Sequence, residues 1–232
     1  MKKLVMILAI AAFGISAYAQ DVFFSAPNYN EIEKNIKNEN SSYYYPQLME
    51  RYMKGDPTLT AEEGRHLYFG YVYQPNYVPT DTSSYNNHLA QVLTKTSFST
   101  TDYNNILQYA DALLAEDPFN LRALNAKLLV YAQQNNVEEY KIVAQKRKVV
   151  QDAIVSTGDG MSDKTPFYVI KVAHEYDLLP FLGYKFGGVD KIVKNKKVNY
   201  LSLGKNRFEV ERVYFDITPI MNYVTTQGGG KM

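Results

Sequence analysis

The apolar residues of this chain keep a helical period as far as Val155 and abandon it after Gly158-Asp159-Gly160. Spacings of three and four put side chains on one face only at 3.6 residues per turn, so the part before that turn has to be helical. Beyond it, β-branched, aromatic and alternating runs fit strands. The chain is therefore predicted to be α+β: a helical array over residues 20–160, followed within 161–227 by a small antiparallel β-sheet packed on the helices. Residues 228–232, opening with Gly228-Gly229-Gly230, read as a flexible tail.

Helix starts are written in the local chemistry. Ile32 and Ile36 predict a short helix, and Pro46 breaks it or opens another over Gln47 to Met53. Thr60-Ala61-Glu62-Glu63 has the form of a capping box, predicting a helix from Ala61 to about Tyr73. Ser83 or Ser84 can cap the next, to about Lys95. From Thr101, the residues Tyr103, Ile106, Leu107, Ala110, Leu113 and Leu114 share one face until Asp117-Pro118 stops the helix. Asn120 starts another, with Leu121, Leu124, Leu128 and Tyr131 inward, and Asn135-Asn136 joins it to a third reaching Val155. Thr101 to Val155 is thus predicted to be three antiparallel helices with short joints.

Past Gly160, Phe167 to Val172 reads as a strand. Val198 to Leu203, Gly204-Lys205-Asn206 and Arg207 to Ile217 read as a β-hairpin whose polar face changes side near Arg212, implying a bulge or a change of cover. Lys191, Lys194, Lys196 and Lys197 read as an exposed linker, and Ile220 to Val224 as a short closing helix.

Residues 1–19 read as a secretory signal peptide. Lys2 and Lys3 precede the uncharged run Leu4 to Ile15, and Ala17-Tyr18-Ala19 supplies the small residues of a cleavage site before Gln20. That run is short of the ~20 apolar residues needed to cross a bilayer. The chain contains no cysteine. It is therefore expected to be exported without a lipid anchor, periplasmic or secreted, with no membrane anchor after cleavage. The same absence excludes disulfides, thiolate catalysis and Cys-ligated metal sites.

Charge is distributed unevenly. Residues 20–140 hold 8 Lys/Arg against 15 Asp/Glu, and residues 141–232 hold 15 against 9. Export argues against nucleic acid as a partner of the basic part. Attraction between the two parts, an acidic partner or simply solvated faces account for the pattern.

The segment Ala110 to Ala144, with Asp117-Pro118, Asn120 and the Asn135-Asn136 joint, resembles a degenerate tetratricopeptide-like helical hairpin. A wider resemblance is carried by three blocks: Ser41 to Pro79 (SSYYYPQLMERYMKGDPTLTAEEGRHLYFGYVYQPNYVP), Thr157 to Gly183 (TGDGMSDKTPFYVIKVAHEYDLLPFLG) and Val213 to Thr218 (VYFDIT). These resemble the exported bacterial family catalogued as domain of unknown function 4919. The resemblance implies lineage and fold, and no activity.

No H-E-x-x-H, G-x-S-x-G, Walker or Rossmann fingerprint occurs, so no cofactor or metal is expected. The nearest thing to a catalytic cluster is His174-Glu175-Tyr176-Asp177. On a strand His174 and Tyr176 would share a face, and on a helix His174 and Asp177 would be neighbours. Neither geometry converges three ligands, and a salt-linked strand end is the plainer reading. Asp159, Gly160 and Asp163 lack the remaining positions of a calcium loop.

Arg65, His66, Tyr68, Tyr71, Tyr73 and Tyr77 form the densest aromatic–polar group. Tyrosines beside an arginine can stack on sugars or grip a peptide, or they can be core residues of a helix that must bury one face. The leading expectation is a non-enzymatic interaction or scaffold module of the bacterial envelope with a protein or peptide partner. The alternatives are a hydrolase or carbohydrate-active enzyme using carboxylates such as Glu175 and Asp177, and a glycan-binding module using Arg65, Tyr68, Tyr71, Tyr73 and Tyr77. A deep pocket lined by His174, Glu175 or Arg65 would favour the enzyme.

Overall fold

The computed structural model describes residues 24–228. The expected signal peptide, its Gln20 junction and residues 229–232 of the glycine-rich tail lie outside them. The first seven helices are α1 (Tyr29–Lys37), α2 (Tyr45–Met53), α3 (Ala61–Gly70), α4 (Tyr85–Leu93), α5 (Thr100–Glu116), α6 (Leu121–Gln133) and α7 (Val137–Val155). A 3-10 turn, Tyr71–Tyr73, continues α3. Then come β1 (Phe167–Tyr168), α8 (Val172–Asp177), β2 (Phe186–Ile192), β3 (Val198–Leu203), β4 (Arg212–Asp216) and α9 (Thr218–Gly228).

Thr60 and Asn120 cap their helices as the sequence predicts, whereas Ser84 stands at the start of α4 without a side-chain capping bond. The side chains of Asn28, Thr60, Ser99, Asn120 and Asn136 each accept from a first-turn backbone N–H. Each such cap stabilises its helix by about 1 kcal/mol. Thr60–Glu63 and Ser99–Asp102 close complete capping boxes. At the Asn135-Asn136 joint, Asn135 takes φ 54°, and the Asn136 N–H returns to the Tyr131 carbonyl at 2.9 Å. This ends α6 in a left-handed residue while Asn136 caps α7.

Helices α4 to α7 pack in sequence, and α7 also lies against α3. Helix α6 is buried on two sides. Leu121, Leu124 and Leu128 enter the main core, whereas Ala123, Ala126 and Val130 meet Leu89, Ile106, Ala110 and Leu113 in a second cluster. Small residues on that side let α5 and α6 approach closely. No helix among the described residues is long and apolar enough to cross a membrane.

The sheet is mixed, which corrects the purely antiparallel expectation. Its strand order is β1-β4-β3-β2, with β1 parallel to β4 and the other pairs antiparallel. β3 pairs β4 from Val198↔Asp216 to Ser202↔Arg212, so Leu201, Val213 and Phe215 face the core. The second arm starts at Arg212 rather than Arg207. The preceding residues are looped, with Glu209 at φ 56°, which explains the change of polar face there.

The strand expected over Phe167 to Val172 covers only two residues. The Val172 N–H turns away to the Pro79 carbonyl at 3.0 Å, and the chain enters α8. His174 to Asp177 therefore lies on a helix, not at a strand end. Part of the expected lysine linker belongs to β2, the outer strand, exposed throughout. Its sequence FGGVDKI has no alternation to reveal it. The register slips between Phe186 and Asp190, and Gly188 takes φ 98°. A bulge flanked by Lys185 and Lys191 blunts the free edge against pairing with other chains.

One core unites helices and sheet, containing Tyr52, Leu67, Tyr68, Phe69, Phe119 and Val150 together with Val169, Leu201, Val213 and Phe215.

Candidate functional site

A cleft lies between one side of α9 and residues of α1 and the 3-10 turn, and Tyr29, Val72, Tyr73 and Tyr223 on its walls also pack partly against the core. Asp216 accepts from the Thr218 N–H at 2.9 Å and starts α9. Ile220 is buried in the core, so Pro219, Asn222, Tyr223 and Thr226 fall along another side of the helix. Opposite them stand Tyr29 and Asn30 of α1, then Val72 and Tyr73 of the 3-10 turn, with Tyr77 beyond. The cleft has a volume of about 430 Å³, within the ~300–1,000 Å³ typical of small-ligand sites.

The tyrosines are held from behind. The Tyr73 hydroxyl donates to the Tyr29 carbonyl at 3.0 Å, and the Tyr77 hydroxyl donates to the Ile170 carbonyl at 2.7 Å. Tyr77 meets the Tyr223 ring edge-on, with centroids 5.7 Å apart. The Tyr29 hydroxyl is buried without a hydrogen-bond partner among the described residues. Burial raises the Tyr29, Tyr73 and Tyr77 phenols above their ordinary range, and the Asp216 carboxylate adds to the effect at Tyr29. All three are therefore neutral hydroxyls at physiological pH.

Among the described residues, none that lines the cleft is charged. Two lysines stand behind or beside its walls. Lys197 Nζ donates to Asn222 Oδ1 at 2.6 Å, and Lys37 Nζ lies 5.9 Å from the Tyr73 ring centre. The wall thus offers ring surface, amides and hydroxyls.

The fold divides the aromatic–polar group that the sequence brings together. Tyr68 and Tyr71 are core residues at 0% and 1% exposure, which corrects the expectation that they belong to a binding surface. Arg65 is also turned inward. Its guanidinium donates to the Ser156 hydroxyl and, at 2.8 Å, to the Ser25 carbonyl, tying the N-terminal segment to the end of α7. His66 stacks on Tyr43 at 3.9 Å and meets Asn35 at 3.1 Å. Tyr73 and Tyr77 remain at the cleft.

The cluster on α8 is divided as well, each side chain reaching a different partner. His174 Nε2 lies 3.0 Å from the Phe119 carbonyl, which can only accept, so the ring proton sits on Nε2 and Nδ1 accepts from the Tyr68 hydroxyl at 2.7 Å. Burial pushes His174 down to about 3, the nearby Lys171 charge contributing. Glu175 receives the Asn199 amide at 2.6 Å, and burial raises it to about 8. Asp177 faces Arg122 at 3.4 Å, with burial raising it to about 6 against the pull of that arginine. Among the described residues no three His, Asp or Glu side chains are grouped to hold a metal ion.

Two features escaped sequence reasoning. Tyr29 and Tyr223 come from opposite ends of the chain, and only packing joins them. Lys171 and Asp117 form an ion pair at 3.1 Å, both side chains more than nine-tenths buried, because the end of α5 meets the start of α8. A smaller concavity of about 100 Å³ lies over this pair, with Asp81 and Glu116 on its wall.

No curated protein and no solved structure matches the chain. A family model described as Domain of unknown function (DUF4919) matches residues 30–225, a span that includes the cleft residues from Asn30 to Tyr223, with Tyr29 and Thr226 just outside it. The chain belongs to the DUF4919 family.

Proposed function

We propose that this DUF4919 protein is an exported, non-enzymatic binding module that takes part of its partner into the tyrosine-walled cleft. One observation carries the reading: among the described residues the cleft is lined without a carboxylate, histidine, lysine or arginine, while His174, Glu175, Asp177 and Arg65 are each engaged elsewhere. A carboxylic acid such as Glu175, enclosed at 2% exposure, has no substrate within reach. The hydrolase reading therefore has less support than recognition. Export is supported by Lys2-Lys3, the uncharged run to Ile15 and Ala17-Tyr18-Ala19.

Both halves of the proposal are open to test. Expressed from its full reading frame in a bacterial host, the protein should leave the cytoplasm with Gln20 as its N-terminus; retention of Met1 would count against export. Immobilised protein should retain a component of envelope extract saturably, and Tyr73→Ala with Tyr223→Ala should release it. Equal retention by that folded variant would remove the cleft from the function.

A further inference from the structure

Building on the cleft as the binding site, we infer that its ligand is an uncharged saccharide, recognised by ring stacking and by hydrogen bonds that the ligand itself donates. The first argument is charge. About a fifth of the chain is charged, 21% of residues, yet among the described residues none of these lines the cleft. A phosphate, sulfate or carboxylate placed there would lose its hydration, and the nearest cations are already engaged, Lys37 with Glu33 and Lys197 with Asn222. A cationic ligand would meet aromatic faces, but it would also meet Lys37 and Lys197 and no carboxylate among the lining residues.

The second argument is the direction of the free hydrogen bonds. The hydroxyl protons of Tyr73, Tyr77 and Thr226 are already given to the carbonyls of Tyr29, Ile170 and Asn222. Each of these hydroxyls is left with acceptor capacity only, so a ligand must bring donors for them, beside acceptors for the side-chain amides of Asn30 and Asn222. Sugar hydroxyls do so. A polyproline segment, which also packs on tyrosine rings, brings carbonyls and lacks the N–H of every proline. The apolar C–H faces of a pyranose ring complete the match, since tyrosine presents a flat apolar body with a polar tip.

The test is titration of the exported protein with neutral oligosaccharides of glucan, xylan, mannan and chitin type, followed by calorimetry and by tyrosine fluorescence, which no tryptophan obscures. Saturable binding is expected, nearly independent of salt because no charge pair forms. Tyr73→Ala or Tyr223→Ala should weaken it about tenfold, the loss of one stacked ring. Asn222→Ala, at an exposed position, serves as the variant that leaves the core untouched, and it too should weaken binding. Response to none of the neutral sugars, or only to charged ones with steep salt dependence, overturns the saccharide. Should a proline-rich peptide bind at the cleft in their place, the saccharide falls and the binding module stands. If no sugar, peptide or extract component is sensitive to the Tyr73 and Tyr223 substitutions, both fall.

Discussion

The Tyr68 hydroxyl stands 2.7 Å from Nδ1 of His174, and both side chains are buried. Together with the 3.0 Å bond from Nε2 to the Phe119 carbonyl, this contact connects α3, the α5–α6 joint and α8 through one neutral imidazole. The Tyr68 oxygen also receives the Ile170 N–H at 3.3 Å. Tyr68→Phe leaves the ring nitrogen and that amide unpaired, at about 1–3 kcal/mol for each buried orphan. Urea unfolding should show a loss of that order, with ligand affinity at the cleft unchanged.

Two of the three titrating groups on α8, His174 and Glu175, pull stability in opposite directions with pH, while Asp177, raised to about 6, acts in the same direction as Glu175. His174 is held at about 3, below the ordinary imidazole value of 6.5. The unfolded chain therefore takes the proton first, and stability falls as pH drops from about 6.5 towards 3. Glu175 is held at about 8, above the ordinary 4.5. Here the folded state keeps the proton, so stability falls as pH rises from about 4.5 through 8. Glu175→Gln keeps an acceptor for Asn199 and removes the second slope. Its melting temperature should gain on the parent's steadily between about pH 5 and 8. A difference that stays flat across that range would mean that Glu175 is ionised in the folded protein.

The buried pair Lys171–Asp117 should behave as a unit. Lys171→Met alone strands a carboxylate that has only the Phe119 N–H beside it, a cost of about 3–5 kcal/mol. Combining it with Asp117→Asn removes the stranded charge while keeping a side chain that can accept from Phe119. The double variant should therefore be more stable than the sum of the single losses predicts. Additivity in a double-mutant cycle would show that the pair is not coupled.

Gly55 and Gly183 separate backbone strain from steric contact. Both take left-handed φ, 65° and 79°. A Cβ on Gly55 would lie 2.8 Å from the Ile142 backbone, whereas one on Gly183 would meet nothing within 4 Å. Gly183→Ala should cost only the conformational penalty of about 1–2 kcal/mol, and Gly55→Ala clearly more, because α7 has to move. Thermal melts of the two variants settle the order.

Local chemistry was legible where it is self-contained. The capping box at Thr60, the Asn120 cap and the Asn135-Asn136 joint depend on neighbours within a few residues, so the sequence displays them directly. Strand β2 stayed hidden because Gly187-Gly188 interrupts any alternation, and its place in the sheet comes from pairing with β3. The segment after Phe167 was read as strand from its β-branched residues, but Val172 and Lys171 find partners at Pro79 and Asp117 that outweigh that preference.

By itself the sequence determined the α+β division at Gly158 to Gly160, the helix starts and the abundance of tyrosine. It also placed Tyr73 and Tyr77 among the residues to watch. Only the tertiary structure decided which tyrosines line the cleft, because that depends on whether neighbouring elements close over a ring or leave it open. Packing buries Tyr68 and Tyr71, leaves Tyr73 and Tyr77 beside Tyr29 and Tyr223, and seals His174, Glu175 and Asp177 against separate partners. A tyrosine has the same propensity and the same spacing in either place. Burial is a property of the neighbours that distant parts of the chain supply.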